Sequence, residues 1–236
     1  MSIELINNDC IEELKKIKNE SIDLVVLDPP YKIISGGSSI KKRPDDVGGI
    51  FNKMHNVNSQ TKNAARTGKL FKHNDIKFKN WLPDVFRVLK DGTHCYIMVN
   101  DRNMQEMLNE AEKVGFKIQN ILVWSKGTHT PNKYYLKNNE FIIMFRKGKA
   151  KNINNMGTKT IIEIPNIKRG EKLHPTEKPV ELLELLISNS SNENELVLDC
   201  FMGAGSAAVA CKNLNRRFVG MELDEEYFKI AKERIK

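Results

Sequence analysis

The residues best equipped for chemistry are Asp28-Pro29-Pro30-Tyr31. They directly follow Ile22-Asp23-Leu24-Val25-Val26-Leu27, a short, largely apolar and β-branched run that predicts a strand buried on both faces of a parallel sheet. Two consecutive prolines forbid a helix and keep the chain extended, because each fixes φ and lacks an N–H. The result is a stiff tetrapeptide at the carboxyl end of a strand, where open α/β sheets bind their ligands. It offers a carboxylate, backbone carbonyls with no N–H between them, and an aromatic face. That set suits accepting hydrogen bonds from an exocyclic amino group on a flat ring while stacking on the ring. The same string can also serve as a plain strand-ending turn, so the weight falls on what accompanies it.

A second group lies in the last third. Asp199-Cys200-Phe201-Met202-Gly203-Ala204-Gly205-Ser206 sits where a strand should pass into a helix. Gly203 and Gly205 permit a tight turn and close ligand approach, and the helix that follows presents free N–H groups. Glu222 ends the next predicted strand, 17 residues after Gly205, where a carboxylate can take both hydroxyls of a nucleoside ribose. His174-Pro175-Thr176-Glu177-Lys178-Pro179 precedes this half. Its His, Thr and Lys could hold the carboxylate of an amino-acid-like cofactor. The bland readings are a glycine turn packed under a helix and a helix-entry histidine.

These residues need a scaffold, and the chain supplies one. Strands are predicted at 3–7, 22–27, 93–99, 116–124, 140–145, 196–198 and 218–221, with a short one near 161–164. Helices are predicted at 11–17, over Trp81–Leu89 with a stop at Lys90-Asp91-Gly92, at 101–114 ended by Gly115, at 180–187, at 204–214, and from an Asp224 cap to Ile235. The alternation predicts an α/β, doubly wound, mostly parallel sheet in a single domain, residues 1–236. No apolar stretch approaches membrane-spanning length, and Met1-Ser2-Ile3-Glu4 does not open a signal peptide, so a cytoplasmic protein is expected. Cys10, Cys95, Cys200 and Cys211 form no C-x-x-C pair, which argues against a zinc site or a disulfide framework, so no metal is expected.

The formal charge of +8 is unevenly spread. Residues 41–79 hold ten Lys/Arg against three Asp/Glu, and residues 126–172 hold eleven against three. The remainder holds 17 basic and 24 acidic residues, so a mildly acidic scaffold carries two basic insertions, at 33–79 and 126–172. Such insertions are either solvated loops or a grip on phosphates.

In order and content, Asp28–Tyr31, His174–Pro179, Asp199–Ser206 and Phe218–Glu222 resemble the amino-methylating DNA methyltransferases of the β arrangement, in which the catalytic motif precedes the cofactor motifs. Asn8-Asp9-Cys10, Arg87–Gly92, Glu140–Lys147 and Arg216–Gly220 add lesser echoes. The resemblance implies an S-adenosylmethionine-dependent, Rossmann-like methyltransferase fold acting on double-stranded DNA, with a cognate restriction nuclease and a second copy of the chain as candidate partners. It implies that Asp28, Pro29, Pro30 and Tyr31 engage the target base, and that Asp28 also borders the cofactor. Asp9 and Cys10 would lie near the cofactor adenine, and His174, Thr176 and Lys178 near its methionine part. Asp199, Phe201, Gly203, Gly205 and Ser206 would line the loop, and Glu222 would hold the ribose. Cys200 stands where proline is common, Ser206-Ala207 where a Thr pair is frequent, and Lys32 where Asn is frequent. Adenine N6 is the expected target. Cytosine N4, a catalytically weak DNA-binding protein, and a nucleotide-dependent dehydrogenase are the alternatives.

Overall fold

The computed structural model describes residues 2–30, 76–130, 134–168, 170–174 and 176–236. Contacts divide the chain into two units, Met1–Pro29 with Phe78–Lys236, and Pro30–Lys77. Tyr31 and the basic segment from 33 to 75 lie outside the described residues.

The first unit is built on an eight-stranded sheet. In chain order its elements are β1 (Ile3–Ile6), α1 (Cys10–Lys16), β2 (Ile22–Leu27), α2 (Leu82–Val88), β3 (Leu89–Val99), α3 (Met104–Val114), β4 (Lys117–Thr130), β5 (Lys137–Arg146), β6 (Ile161–Glu163), α4 (Val180–Ser190), β7 (Leu196–Asp199), α5 (Ser206–Asn213), β8 (Arg217–Met221) and α6 (Glu225–Ile235). The strand order is β1-β8-β7-β2-β3-β5-β4-β6. The first five strands in that order are parallel. β5 runs antiparallel to both β3 and β4, and β6 runs parallel to β4. The sheet is therefore mostly parallel, as the alternation predicts, with a hairpin inserted near one edge.

β2 lies at the centre of the parallel region and all six of its residues are buried. Its one charged member, Asp23, accepts from Lys90 Nζ at 2.5 Å and from Leu196 N at 2.9 Å, which satisfies the carboxylate and ties β2 to both neighbours. Alternation along the strand sends Leu24 and Val26, with Tyr96 and Met98 of β3, into a core shared with Leu182, Leu186, Ala208 and Ala231. Val25, Leu27, Cys95 and Ile97 are left for the opposite face, where they are also fully buried.

Two boundaries differ from expectation. The stop at Lys90-Asp91-Gly92 is part of β3, which begins at Leu89 without a loop after α2. Gly92 keeps a left-handed φ of +75°, so the signal is a local irregularity inside a strand. β4 continues to Thr130, with Ser125 opposite Asn139 and Thr130 opposite Lys137. Lys126–Thr130, the start of the basic insertion, is thus part of a hairpin. Its polar sequence lacks apolar alternation, and backbone pairing with β5 supplies the order instead. No helix among the described residues is long and apolar enough to cross a membrane.

Candidate active site

Four neighbouring parallel strands end on one edge of the sheet, and each delivers part of the sequence pattern. β1 leads to Asp9 and Cys10, β8 to Glu222, β7 to Asp199–Phe201, and β2 to Asp28. Backbone bonds continue the pairing past the strand ends. Glu222 N donates to Ile6 O at 3.0 Å and Met202 N to Met221 O at 3.0 Å, while Asn7 Nδ2 donates to Glu222 O at 2.8 Å. Asp9 caps α1, its Oδ1 accepting from Ile11 N at 2.8 Å. Cys10 opens that helix, buried, with buried Cys200 near it.

The turn after β7 requires its glycines. Gly203 and Gly205 adopt φ of +53° and +79°, and a Cβ on Gly205 would stand 2.8 Å from the Ala231 Cβ of α6. Backbone conformation and packing both refuse a side chain there. Ser206 begins α5 immediately afterwards. Glu222 braces the turn from β8: its Oε2 accepts from Gly203 N at 2.9 Å and its Oε1 from Asp224 N at 2.8 Å. Asp199 Oδ1 accepts from Phe201 N at 2.9 Å. The Phe201 ring meets the fully buried Trp81 edge-on at 5.2 Å.

This edge gathers three carboxyl groups, Asp28, Asp199 and Glu222. Burial pushes the Asp199 carboxyl up to about 8, and the nearby Asp28 and Glu222 carboxylates push in the same direction. Burial likewise raises the Glu222 carboxyl, against the pull of its backbone donors. A buried carboxyl whose pKa is raised by two neighbouring carboxylates marks a site that a cation would relieve. S-adenosylmethionine carries a sulfonium and an ammonium, so this donor set fits it.

Asp28 forms the other half. Its side chain is 22% exposed, and Lys178 Nζ donates to its Oδ2. Burial raises its pKa, Lys178 draws it down, and Glu140 raises it again. Lys178 also lies 3.5 Å from Glu140 Oε2, whose Oε1 is held 3.0 Å from Lys126 Nζ. Lys178 therefore turns towards the Asp28 carboxylate. His174 packs edge-on to Tyr227 with ring centroids 4.1 Å apart. Its Nδ1 accepts from Thr176 N at 3.2 Å and is 3.1 Å from Thr176 Oγ1. Burial, then the positive charge of Lys178, pull its pKa down to about 4, so the imidazole is neutral at pH 7.

One clasp joins these groups. Glu177, buried, pairs with Arg234 at 2.9 Å, accepts from Leu173 N at 2.7 Å and lies 3.4 Å from Ser206 Oγ. Arg234 reaches back to Ala204 O at 2.8 Å. The last helix thereby fixes the His174–Pro179 segment against the glycine turn. The sequence assigns no role to Glu140, Lys126, Arg234 or Tyr227. Only Glu140, a carboxylate opening an otherwise apolar strand run, carried a local signal.

A family model described as DNA methylase matches residues 22–233. The type II methyltransferase M2.DpnII of Streptococcus pneumoniae is 30% identical over 249 residues, covering 98% of this chain and 88% of that protein. Among solved structures, the SAM complex of M1.HpyAVI has a TM-score of 0.69 at 24% identity, covering 98% of this chain and 99% of that one. The PvuII DNA methyltransferase, described as cytosine-N4-specific, has a TM-score of 0.74 at 16% identity, covering 100% and 87%.

Proposed function

The chain belongs to the DNA methylase family, and we propose that within it the chain methylates the exocyclic N6 of a flipped-out adenine, with Asp28 receiving the target amino group. S-adenosylmethionine, when bound, supplies an electrophilic methyl on a sulfonium. The protein's part is to hold and polarise what reacts with it.

An adenine amino nitrogen is a poor nucleophile because its lone pair is delocalised into the ring. Hydrogen bonds from that amino group to the Asp28 carboxylate and the Pro29 carbonyl localise the lone pair and favour tetrahedral nitrogen. Positioning and electrostatics then account for most of the acceleration. Asp28 takes the proton as positive charge develops on nitrogen, so no strongly basic group is needed. The base must leave the duplex to reach a strand end, and Tyr31 is the proposed stacking platform. On the cofactor side, Glu222 and the turn at Gly203–Ser206 receive the ribose, Asp9 and Cys10 border the adenine, and Asp199 faces a cationic group. His174 and Thr176, with Lys178 next to them, border the methionine part.

The observation that carries the adenine reading is an aspartate, Asp28, at the buried carboxyl end of β2, with a second carboxylate, Asp199, ending the neighbouring strand. In the β-arrangement family an acidic first position leans towards adenine. The likeness to PvuII, described as cytosine-N4-specific, favours cytosine N4 as the second reading, because the same geometry serves either amino group. M2.DpnII is designated a type II methyltransferase, which supports site-specific action beside a cognate nuclease, in the cytoplasm where DNA and methyl donor meet. The basic segments 33–79 and 126–172 are proposed to grip the backbone and read the target sequence. Sequencing DNA from a host expressing the protein, with modified-base detection, tests the proposal. Methylated adenine at one fixed sequence is expected, and methylated cytosine would overturn it.

A further inference from the structure

Behind Asp28 stands a row of alternating charges contributed by four separate places in the fold. Lys126 lies in β4, Glu140 in β5, Lys178 just ahead of α4, and Asp28 just after β2. Neighbours along the row all touch: Lys126 to Glu140 at 3.0 Å, Glu140 to Lys178 at 3.5 Å, and Lys178 to Asp28 by a direct hydrogen bond. The row is not a surface ornament, since the Lys178 side chain is 8% exposed and the Lys126 side chain 14%. Lys178 Nζ also donates to Thr176 O at 3.2 Å, so two carboxylates and one carbonyl gather on this ammonium.

This arrangement is at odds with catalysis if it stays fixed. A carboxylate engaged by an ammonium is a weaker acceptor for a target amino group. An ammonium beside a nitrogen that is gaining positive charge opposes the transfer. The row contains the remedy, because a second carboxylate already touches the same ammonium.

We propose that Lys178 is an exchangeable counter-ion, held on Asp28 in the free enzyme and passed to Glu140 when the target amino group takes its place on the Asp28 carboxylate. Glu140 is then a positioning residue that acts through Lys178, and Lys126 sets how strongly it pulls. The exchange is a short shift of a flexible side chain between partners already in place, and it leaves Asp28 negative when positive charge develops. The inference rests on Asp28 receiving the amino group.

Among the described residues, the charges facing Asp28 are Lys178, Glu140, Lys172 and, from β7, Asp199. Removing the negative charge of Glu140 lowers the Asp28 pKa and leaves Lys178 with one carboxylate. Removing Lys126 frees Glu140 to draw Lys178 away, which raises the Asp28 pKa. Glu140→Gln and Lys126→Met should therefore move the acid limb of the kcat–pH profile in opposite directions, down and up. Glu140→Gln should also lower kcat by about tenfold or more, the scale of a misplaced catalytic group. Affinity for S-adenosylmethionine, measured by calorimetry on each variant, should stay within about twofold of the parent, well under the tenfold that removal of a 1.4 kcal/mol interaction would cost.

The substrate is a duplex carrying the sequence found methylated in host DNA. Unmoved limbs, or limbs that move together, overturn the exchange, and whichever variant folds gives its own predicted direction. Loss of cofactor affinity with unmoved limbs also overturns it, by making Lys178 a cofactor ligand. If Asp28→Ala turns over at the parental rate, the underlying reading fails. If Asp28→Ala is inactive while Glu140→Gln keeps the parental kcat and limb, the exchange alone fails.

Discussion

Replacing Asp199 by asparagine should stabilise the ligand-free protein at neutral pH while weakening its hold on S-adenosylmethionine. Burial, with Asp28 and Glu222 beside it, lifts this carboxyl from an ordinary 3.8 to about 8. Between those values the folded chain binds a proton that the unfolded chain has released, so stability falls as pH rises through the window and levels off above it. From pH 3.8 to 7 the loss is about three units at 1.36 kcal/mol each, or roughly 4 kcal/mol. Asparagine carries no charge to desolvate, and its oxygen can still accept from Phe201 N, now 2.9 Å from Asp199 Oδ1. Half of the full effect, about 2 kcal/mol, would raise Tm by about 4–8 °C in a chain of this length. The assay is thermal unfolding of parent and Asp199→Asn from pH 4 to 9, where the gap should open with pH and stop growing above 8. Calorimetry at pH 7 in buffers of differing ionisation enthalpy should show cofactor binding release about 0.9 proton more from the parent than from the variant. A gap independent of pH, or a variant less stable than its parent at pH 8, would refute the reasoning.

Three further outcomes are expected. Glu222→Ala should weaken S-adenosylmethionine binding by about tenfold or more, since each charge-assisted bond is worth about 1.5–3 kcal/mol; unchanged affinity by calorimetric titration would put the ribose elsewhere. Arg234→Met leaves the Glu177 carboxylate buried without its partner and should cost about 3–5 kcal/mol in denaturant unfolding, so an unmoved transition would show that the clasp carries no load. Replacing Lys41, Lys42 and Arg43 by alanine should weaken DNA binding and flatten its salt dependence by about 0.9 in log–log slope for each phosphate no longer neutralised; an unchanged slope would move the backbone grip to 126–172.

Much of the site edge was legible because three of its four strands are short, largely apolar runs closed by a carboxylate. The run 22–27 ends in Asp28, 196–198 in Asp199, and 218–221 in Glu222. Gly203 and Gly205 were legible for a different reason: two close glycines at a strand-to-helix junction imply positive φ, and both have it. The partnership of Lys178 with Asp28 was not legible, because the two are 150 residues apart and meet only through the sheet order. Nothing local says that β7 pairs with β2, which is what brings the segment before α4 over the Asp28 end. The polar end of β4 was hidden for a related reason. Its order comes from backbone pairing across a hairpin, which leaves no periodic mark on residues such as Gly127, Thr128 and His129.

The most direct measurement is transfer of labelled methyl from S-adenosylmethionine to an unmethylated duplex by the parent and by Asp28→Ala, with cofactor affinity determined on both. Loss of the charged acceptor at the developing positive centre should lower the single-turnover rate by about a hundredfold to a thousandfold, the range for removing one preorganised electrostatic partner, while S-adenosylmethionine still binds. Label found on adenine N6 with the parent, and near background with the variant, is the predicted result. Near-parental transfer by Asp28→Ala would show that the amino group is held elsewhere.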